Sequence, residues 1–269
     1  MKAFLKYAAL LAGAVVFAYP FLWMLAGSLK PELEIPDLNI FSGNYSLQSY
    51  VQVILKIPIA RAFLNSVIVS AATTASVVVF GSMVGYALAR LRFLGKKTLY
   101  TLILFTMTIP FQIVLIPQYI LIVKLGWTDT YMALVAPAMM SAFGIILFRQ
   151  FFMAIPQALI DAARVDGCSE LMILFRIIWP LSRPVIITVA LLTFMANWNE
   201  VLWPLMVVRD QSLMTMPQIV TIFSTGGQAE TQLGYLLAAA TLLSLPVIIA
   251  YAFFQRYFIE SMASTGLKG

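Results

Sequence analysis

Two short stretches of this chain carry the polar residues whose spacing suggests specific work. The first is Asp161-Ala162-Ala163, three residues, Gly167, nine residues, then Ile177-Ile178-Trp179-Pro180. The second is Asn197-Trp198-Asn199-Glu200, with Gln112 and Gln118 standing apart in apolar surroundings. In the first, Pro156 suits the opening turn of a helix, where its missing N–H costs little. Residues 157–165 then read as a short amphipathic helix. Asp166-Gly167 is a turn dipeptide whose glycine takes the left-handed conformation that ends the helix. A second helical run over 169–179 opens with a Ser169 cap and with Glu170 near its positive end. Pro180 and Pro184 are expected to stop it. Helices this short are marginal alone in water. Such a pair is expected to fill a groove on a partner or to lie on lipid headgroups.

Bond-making chemistry has little to draw on. There is no histidine, hence neither the commonest general base nor the commonest metal ligand. The single cysteine, Cys168, has no partner for an internal disulfide, and no cluster exists to hold a metal. Gly95-Lys96-Lys97-Thr98 has the look of the end of a phosphate-binding loop. It lacks the first glycine, since Arg90 stands there, and lysine replaces the serine or threonine after Lys96. No ATP site is expected in this chain.

The elements that must position these residues are read from composition. Of 269 residues, 62% are hydrophobic and 10% charged, against about 45–50% and 25% in soluble domains. The surplus falls in blocks near the length of a bilayer-spanning helix: 7–29, 65–89, 98–123, 131–147, 184–207 and 233–254. None contains lysine or arginine. The expected fold is therefore an all-α membrane protein with about six transmembrane helices, forming one membrane domain over 1–269. The first block follows Lys2 and Lys6 and is read as a retained helix rather than a signal peptide. Pro110 and Pro117 are expected to break the third span, and Pro246 to kink the sixth.

Basic residues set the orientation. One set of connections holds Lys2, Lys6, Arg90, Arg92, Lys96, Lys97, Arg149, Arg164, Arg176, Arg183, Arg256 and Lys268; the other holds Lys30, Lys56, Arg61, Lys124 and Arg209. Placing the richer set inside puts both termini and the 150–184 loop in the cytoplasm. The net charge of +6 is then explained by loops, with no nucleic acid involved. The outer connection 30–61 is read as irregular structure with one short helix and 210–231 as a polar loop, and both as candidate docking surfaces.

On those residues the 161–180 segment resembles the EAA loop of ABC importer permeases. Asp161 stands where glutamate is commoner, and Trp179 where leucine is. Asn65-Ser66, Gly85-Tyr86-Ala87-Leu88-Ala89-Arg90, Phe93-Leu94-Gly95, Ile116-Pro117, Phe148-Arg149-Gln150-Phe151-Phe152, Trp198-Asn199-Glu200 with Trp203-Pro204, and the ending Gly266-Leu267-Lys268-Gly269 are similar to landmarks of the carbohydrate-type branch.

The resemblance implies the type I importer permease fold with a cytoplasmic coupling helix. It also implies that Asp161, Ala162, Ala163, Asp166, Gly167, Ile177 and Pro180 meet the ATPase. The implied partners are a second permease subunit, a cytoplasmic ATPase dimer carrying ATP and Mg, an extracytoplasmic solute-binding protein and membrane lipid. The location would be a bacterial or archaeal inner membrane. The pathway candidates are Gln112, Gln118, Asn197, Trp198, Asn199 and Glu200, whose amides can bond sugar hydroxyls while Trp198 or Trp203 packs on a ring. The simpler reading of each of these residues taken singly is helix–helix hydrogen bonding or a place in an aromatic belt.

Two other classes compete. An ion-coupled secondary transporter needs charges deep in the membrane and inverted repeats; Glu200 is the one plausible embedded charge, and no clear repeat is seen. A membrane-embedded enzyme would need histidine or clustered carboxylates.

Overall fold

In the hydrocarbon core, backbone polar groups must bond within their own segment, and the chain answers with helices throughout. The computed structural model describes residues 2–37, 39–40, 43–225 and 232–266, and side chains in those segments except at 2–3, 250 and 254–266. Lys268, the Arg256 side chain, the 267–269 part of the C-terminal landmark and the 226–231 part of the second outer loop lie outside these described residues.

Three uninterrupted helices have the length and apolar character of spans: α1 (Lys2–Leu29), α3 (Ile59–Arg90) and the described part of α14 (Leu233–Gly266). Between α1 and α3 come a turn at Glu32–Glu34 and the short α2 (Gln48–Lys56). Three further helix pairs, each bent at a short break, have that length and apolar character only when taken together, giving up to six spans if each pair counts as one. The first is α4 (Lys96–Thr106) with α5 (Phe111–Lys124), turned by 101°. Pro110 flanks the start of α5, whereas Pro117 stays inside it.

The second pair is α6 (Tyr131–Val135), prolonged by Ala136–Ala138, with α7 (Ala142–Ala154), bent by 43°. The span therefore runs past the expected 147, because Phe148 and Phe152 bury completely against α3. After α7 comes α8 (Gln157–Val165), then a helical run of α9 (Glu170–Met172), a π-helical stretch (Ile173–Ile178) and α10 (Trp179–Leu181).

This run stands at 88° to α11 (Arg183–Trp198). Pro180 does not stop it, contrary to expectation. It stands just after the π-helical stretch, where the wider winding already departs from the α-helical hydrogen-bond ladder, and the break falls at Ser182. The fifth span is likewise divided, α11 being followed by α12 (Leu202–Val207). The expected loop over 210–231 contains a further helix, α13 (Met216–Thr225), whose Met216, Ile219, Val220 and Phe223 are buried.

The packing centre is α3, set against α7 and α11, while α1 pairs with α14. Three clusters follow α3 in order. Ile59 and Ala62 join Met216, Ile219 and Phe223 with Ala238 and Ala239 of α14. Val69 joins Leu134, Trp203 and Val207. Val77 and Tyr86 join Phe148, Phe152, Ile160, Ala163, Ile173, Leu174 and Ile178. The α3–α7 crossing is close because Gly85 lacks a side chain: a Cβ there would lie 2.7 Å from Phe148 Cβ and 3.1 Å from the Arg149 nitrogen. Much of the remaining apolar surface is exposed, as at Phe4, Leu11, Val16 and Phe17 of α1, which suits lipid or another membrane subunit.

Candidate functional site

The α8 segment is built as an exposed helix on a fixed base. Ile160 is fully buried and Ala163 nearly so, while Asp161, Ala162, Asp166 and Gly167 face outward. Complete burial of one isoleucine is worth about 1.5–3 kcal/mol, a modest anchor for nine residues. The helix ends as a Schellman turn: the Cys168 amide donates to the Ala163 carbonyl and the Gly167 amide to Arg164, both at 3.0 Å. Gly167 has φ +78°, and no atom lies within 4 Å of where its Cβ would be. Glycine is required here by backbone conformation, not by space. Ser169 then caps α9, accepting from the Met172 amide at 3.3 Å.

A closed ring of polar side chains ties this segment to α3. Tyr86 Oη donates to Glu170 Oε2 at 2.5 Å, and Arg164 Nε donates to Glu170 Oε1 at 2.8 Å. Arg164 also reaches Asp161 Oδ1 at 3.2 Å, which accepts from Gln157 Nε2 at 2.9 Å. Gln157 Oε1 accepts from Arg90 Nη1 at 2.8 Å, and Arg90 returns the ring to α3. The same guanidinium caps the end of α7, donating to the carbonyls of Phe152 and Ile155. The hydrogen bond from Arg164, with help from Tyr86, holds the Glu170 carboxyl below the usual glutamate range despite some burial.

The ring uses Asp161 and leaves its side chain 57% exposed. Trp179 adds a further tie, its indole N–H donating to Ser82 Oγ on α3 at 3.1 Å. Ile177 is half-buried against the cluster at this end, and Pro180 is exposed.

The second group of predicted residues is divided. Gln118, Asn197 and Glu200 line one cavity of about 290 Å³ with Phe111, Trp203 and Thr215. Two of the three are already engaged: Asn197 Nδ2 donates to the Thr193 carbonyl at 2.9 Å, and Glu200 Oε1 accepts from the Trp203 amide at 3.1 Å. Trp198 is fully buried away from the cavity lining, stacked on Phe194, with its N–H donating to Leu243 at 3.2 Å. Asn199 is exposed and bonds back to the Met195 carbonyl, and Gln112 is exposed outside the lining. Thr215, not singled out from the sequence, places a buried hydroxyl without a hydrogen-bond partner on this wall.

At the opposite end of α3 a second hub was visible in the sequence only as Asn65-Ser66. Asn65 Nδ2 donates to the carbonyls of Ser212 and Met214, both at 2.9 Å, and its Oδ1 accepts from Tyr131 at 2.6 Å. Ser66 Oγ accepts from the Met216 amide at 2.7 Å. Gln218 Nε2 donates to the Val208 carbonyl at 2.8 Å. Asp129, at φ +54°, accepts from the Asp210 and Arg209 amides. Those bonds hold its carboxyl below the ordinary range. The segment 208–216 is thereby clasped to α3.

The chain as a whole is similar to known transport proteins. Residues 77–264 match the family described as "Binding-protein-dependent transport system inner membrane component". The arabinooligosaccharides transport system permease protein AraQ of Halalkalibacterium halodurans is 33% identical, across 95% of this chain and 93% of that protein. The lactose transport system permease protein LacG of Rhizobium radiobacter is 30% identical, across 96% and 93%. The sn-glycerol-3-phosphate transport system permease protein UgpE of Brucella abortus is 28% identical, across 95% and 94%. In fold, the chain superposes with a TM-score of 0.82 on a chain from the crystal structure of a bacterial ABC transporter involved in alginate import. The two share 24% identity and cover 96% and 97% of each other.

Proposed function

The chain belongs to the family of binding-protein-dependent transport system inner membrane components, and from that premise we propose that it forms one wall of an ATP-driven import pathway for a sugar or related polyol. The observation that carries this reading is the exposed face of α8, held by a side-chain ring to α3. Within the 150–184 segment, α8 is the surface on which a separate ATPase docks, so both termini and the α8 end lie in the cytoplasm. ATP and Mg belong to that ATPase. The 208–216 end then faces the solute-binding protein.

Movement of α8 reaches the pathway through α3. Its 32 residues span about 48 Å at 1.5 Å per residue, with the ring at one end and the Asn65 hub at the other. Rigid-body switching of packed helices needs such a rod. The 290 Å³ cavity falls just below the roughly 300–1,000 Å³ of complete ligand sites. This fits a site finished by a second permease subunit. Gln118, Asn197, Glu200 and Thr215 supply the polar groups on this side. Carbohydrate cargo is supported by the names of the relatives, which move arabinooligosaccharides and lactose.

The test is to purify the chain with its ATPase, second permease subunit and binding protein, then screen solutes for stimulation of ATP hydrolysis. A sugar or polyol should stimulate severalfold, only with the binding protein present. Uptake that persists without the ATPase and collapses with an ion gradient would contradict the reading and favour ion coupling.

A further inference from the structure

At the α8 end, a cleft opens where α4 starts beside α3 and α7, lined by Leu88, Lys96, Lys97, Tyr100 and Arg149, with a volume of about 290 Å³. Its chemistry is cationic. The two ion pairs among the described residues both belong to Arg164, so no described carboxylate lies within 4 Å of the Lys96, Lys97 or Arg149 charge. Arg149 lies over the Tyr100 ring, 4.1 Å from its centroid. Its Nε is buried and has no hydrogen-bond partner. Lys96 Nζ donates to the Leu91 carbonyl at 2.9 Å, which holds it at the cleft rather than in bulk water. Like charges gathered this way repel one another, and a buried guanidinium N–H without an acceptor is costly. An anion with several acceptor oxygens in the cleft offsets the repulsion and favours the charge of the half-buried guanidinium.

The surroundings indicate where that anion comes from. The turn preceding α4 carries Arg92 between Leu91 and Phe93, and its Leu94 is completely exposed. Along α4, Leu99, Leu102 and Phe105 are exposed as well. Apolar side chains flanking cations at the end of a span match the boundary of a bilayer, where headgroup phosphates and acyl chains meet.

We propose that this cleft binds the phosphate of an anionic phospholipid from the cytoplasmic leaflet, with Lys96 and Arg149 as its principal donors and Leu94 in the acyl region. The lipid would steady the α3–α7–α4 junction beside the Arg90 cap. The inference rests on membrane embedding and on the orientation proposed above, and is independent of cargo.

The experiment uses the full chain in detergent, titrated with phosphatidylglycerol or phosphatidylcholine and read by native mass spectrometry. Phosphatidylglycerol should be retained preferentially. Lys96→Gln/Arg149→Gln should lower that preference by roughly fivefold per cation, the equivalent of about 1 kcal/mol each. Lys6→Gln/Arg183→Gln, which removes equal charge outside the cleft, should leave the preference unchanged. Equal losses in the two variants would mean diffuse attraction and overturn the site. Displacement of the lipid by inorganic phosphate would show that the anion is a soluble one, contrary to the proposal. Loss of lipid binding when the ATPase is added would instead mark the cleft as a protein interface.

A measurement on the unaltered chain guards against a misfolded variant. Photoactivatable phosphatidylglycerol, labelled within the first acyl carbons, should attach to peptides covering 92–100 and 149. Attachment only elsewhere would refute the site whatever the variants do. Failure here would leave the transport reading intact, since that reading is scored by solute-stimulated ATP hydrolysis.

Discussion

The two ends of α3 are held in different ways. At the α8 end the ties run from side chain to side chain among Tyr86, Glu170, Arg164, Asp161, Gln157 and Arg90, and several are open to solvent. At the 208–216 end the ties run mainly from buried neutral side chains to backbone, with Asn65 1% and Gln218 0% exposed, the exceptions being the Tyr131–Asn65 side-chain pair and the exposed Asp129 carboxylate. Exposed ion pairs contribute roughly 0–1 kcal/mol, whereas a buried polar group left without its partner costs about 1–3 kcal/mol. One end is therefore built for position and the other for stability. On the proposed reading, the α8 surface meets the ATPase and is steered by contacts that can exchange partners. A segment that must follow α3 is clasped by contacts that cannot.

Breaking the stable end should have the largest thermodynamic effect. Asn65→Leu deletes one acceptor and two donor bonds inside the fold. Its expected cost is about 3 kcal/mol, read as a lower thermal midpoint of the detergent-solubilised chain. Next comes Gly167→Val, which forces a branched residue to φ +78° at about 1–3 kcal/mol. The damage should stay local, raising hydrogen exchange over 163–172 and uncoupling ATP hydrolysis from uptake without blocking membrane insertion.

Arg164→Met removes both ion pairs of the ring. With Arg164 and Glu170 side chains 35% and 39% exposed, the stability change should stay under about 1 kcal/mol. Coupling efficiency should nevertheless fall. A thermal midpoint lowered as far as in Asn65→Leu would erase the distinction between the two ends.

The smallest effect is expected from pH. Glu170 is held below its ordinary range chiefly by Arg164, so its contribution is complete above about pH 4.3, the unperturbed glutamate value. It is lost as pH falls through the lowered folded value. Between about pH 8 and 6, well above that unperturbed value, hydrogen exchange at α9 should not change. Loosening in that window would place another titrating group in the ring.

How much of this was legible beforehand depended on the distance between partners along the chain. The turn at Asp166-Gly167, the α8 helix and the membrane spans are local patterns and could be read from spacing. The ring could not, because Tyr86 and Arg90 lie 84 and 67 residues from Glu170 and Gln157. Their place four apart on α3 was the available signal, since such residues share a helix face. The 197–200 run shows the converse problem. Four adjacent polar or aromatic residues read as one group, yet Asn197 and Trp198 point about 100° apart at the end of α11, and Asn199 and Glu200 lie in the break before α12. Trp198 therefore enters the core while Asn197 and Glu200 reach the cavity. Helix α13 was missed because its polar neighbours marked the region as loop, although Met216, Ile219, Val220 and Phe223 repeat at helical spacing.

The central claim is that α3 carries the displacement of α8 to the 208–216 segment, and one measurement addresses it directly. In the assembled transporter, spin labels on the described segment 208–216 and on α5 would report their separation with and without ATP, in the unaltered chain and in Arg164→Met/Glu170→Gln. The account predicts an ATP-dependent change of separation that is lost or strongly reduced in the variant, while ATP hydrolysis continues. An unchanged response with the ring broken would contradict it.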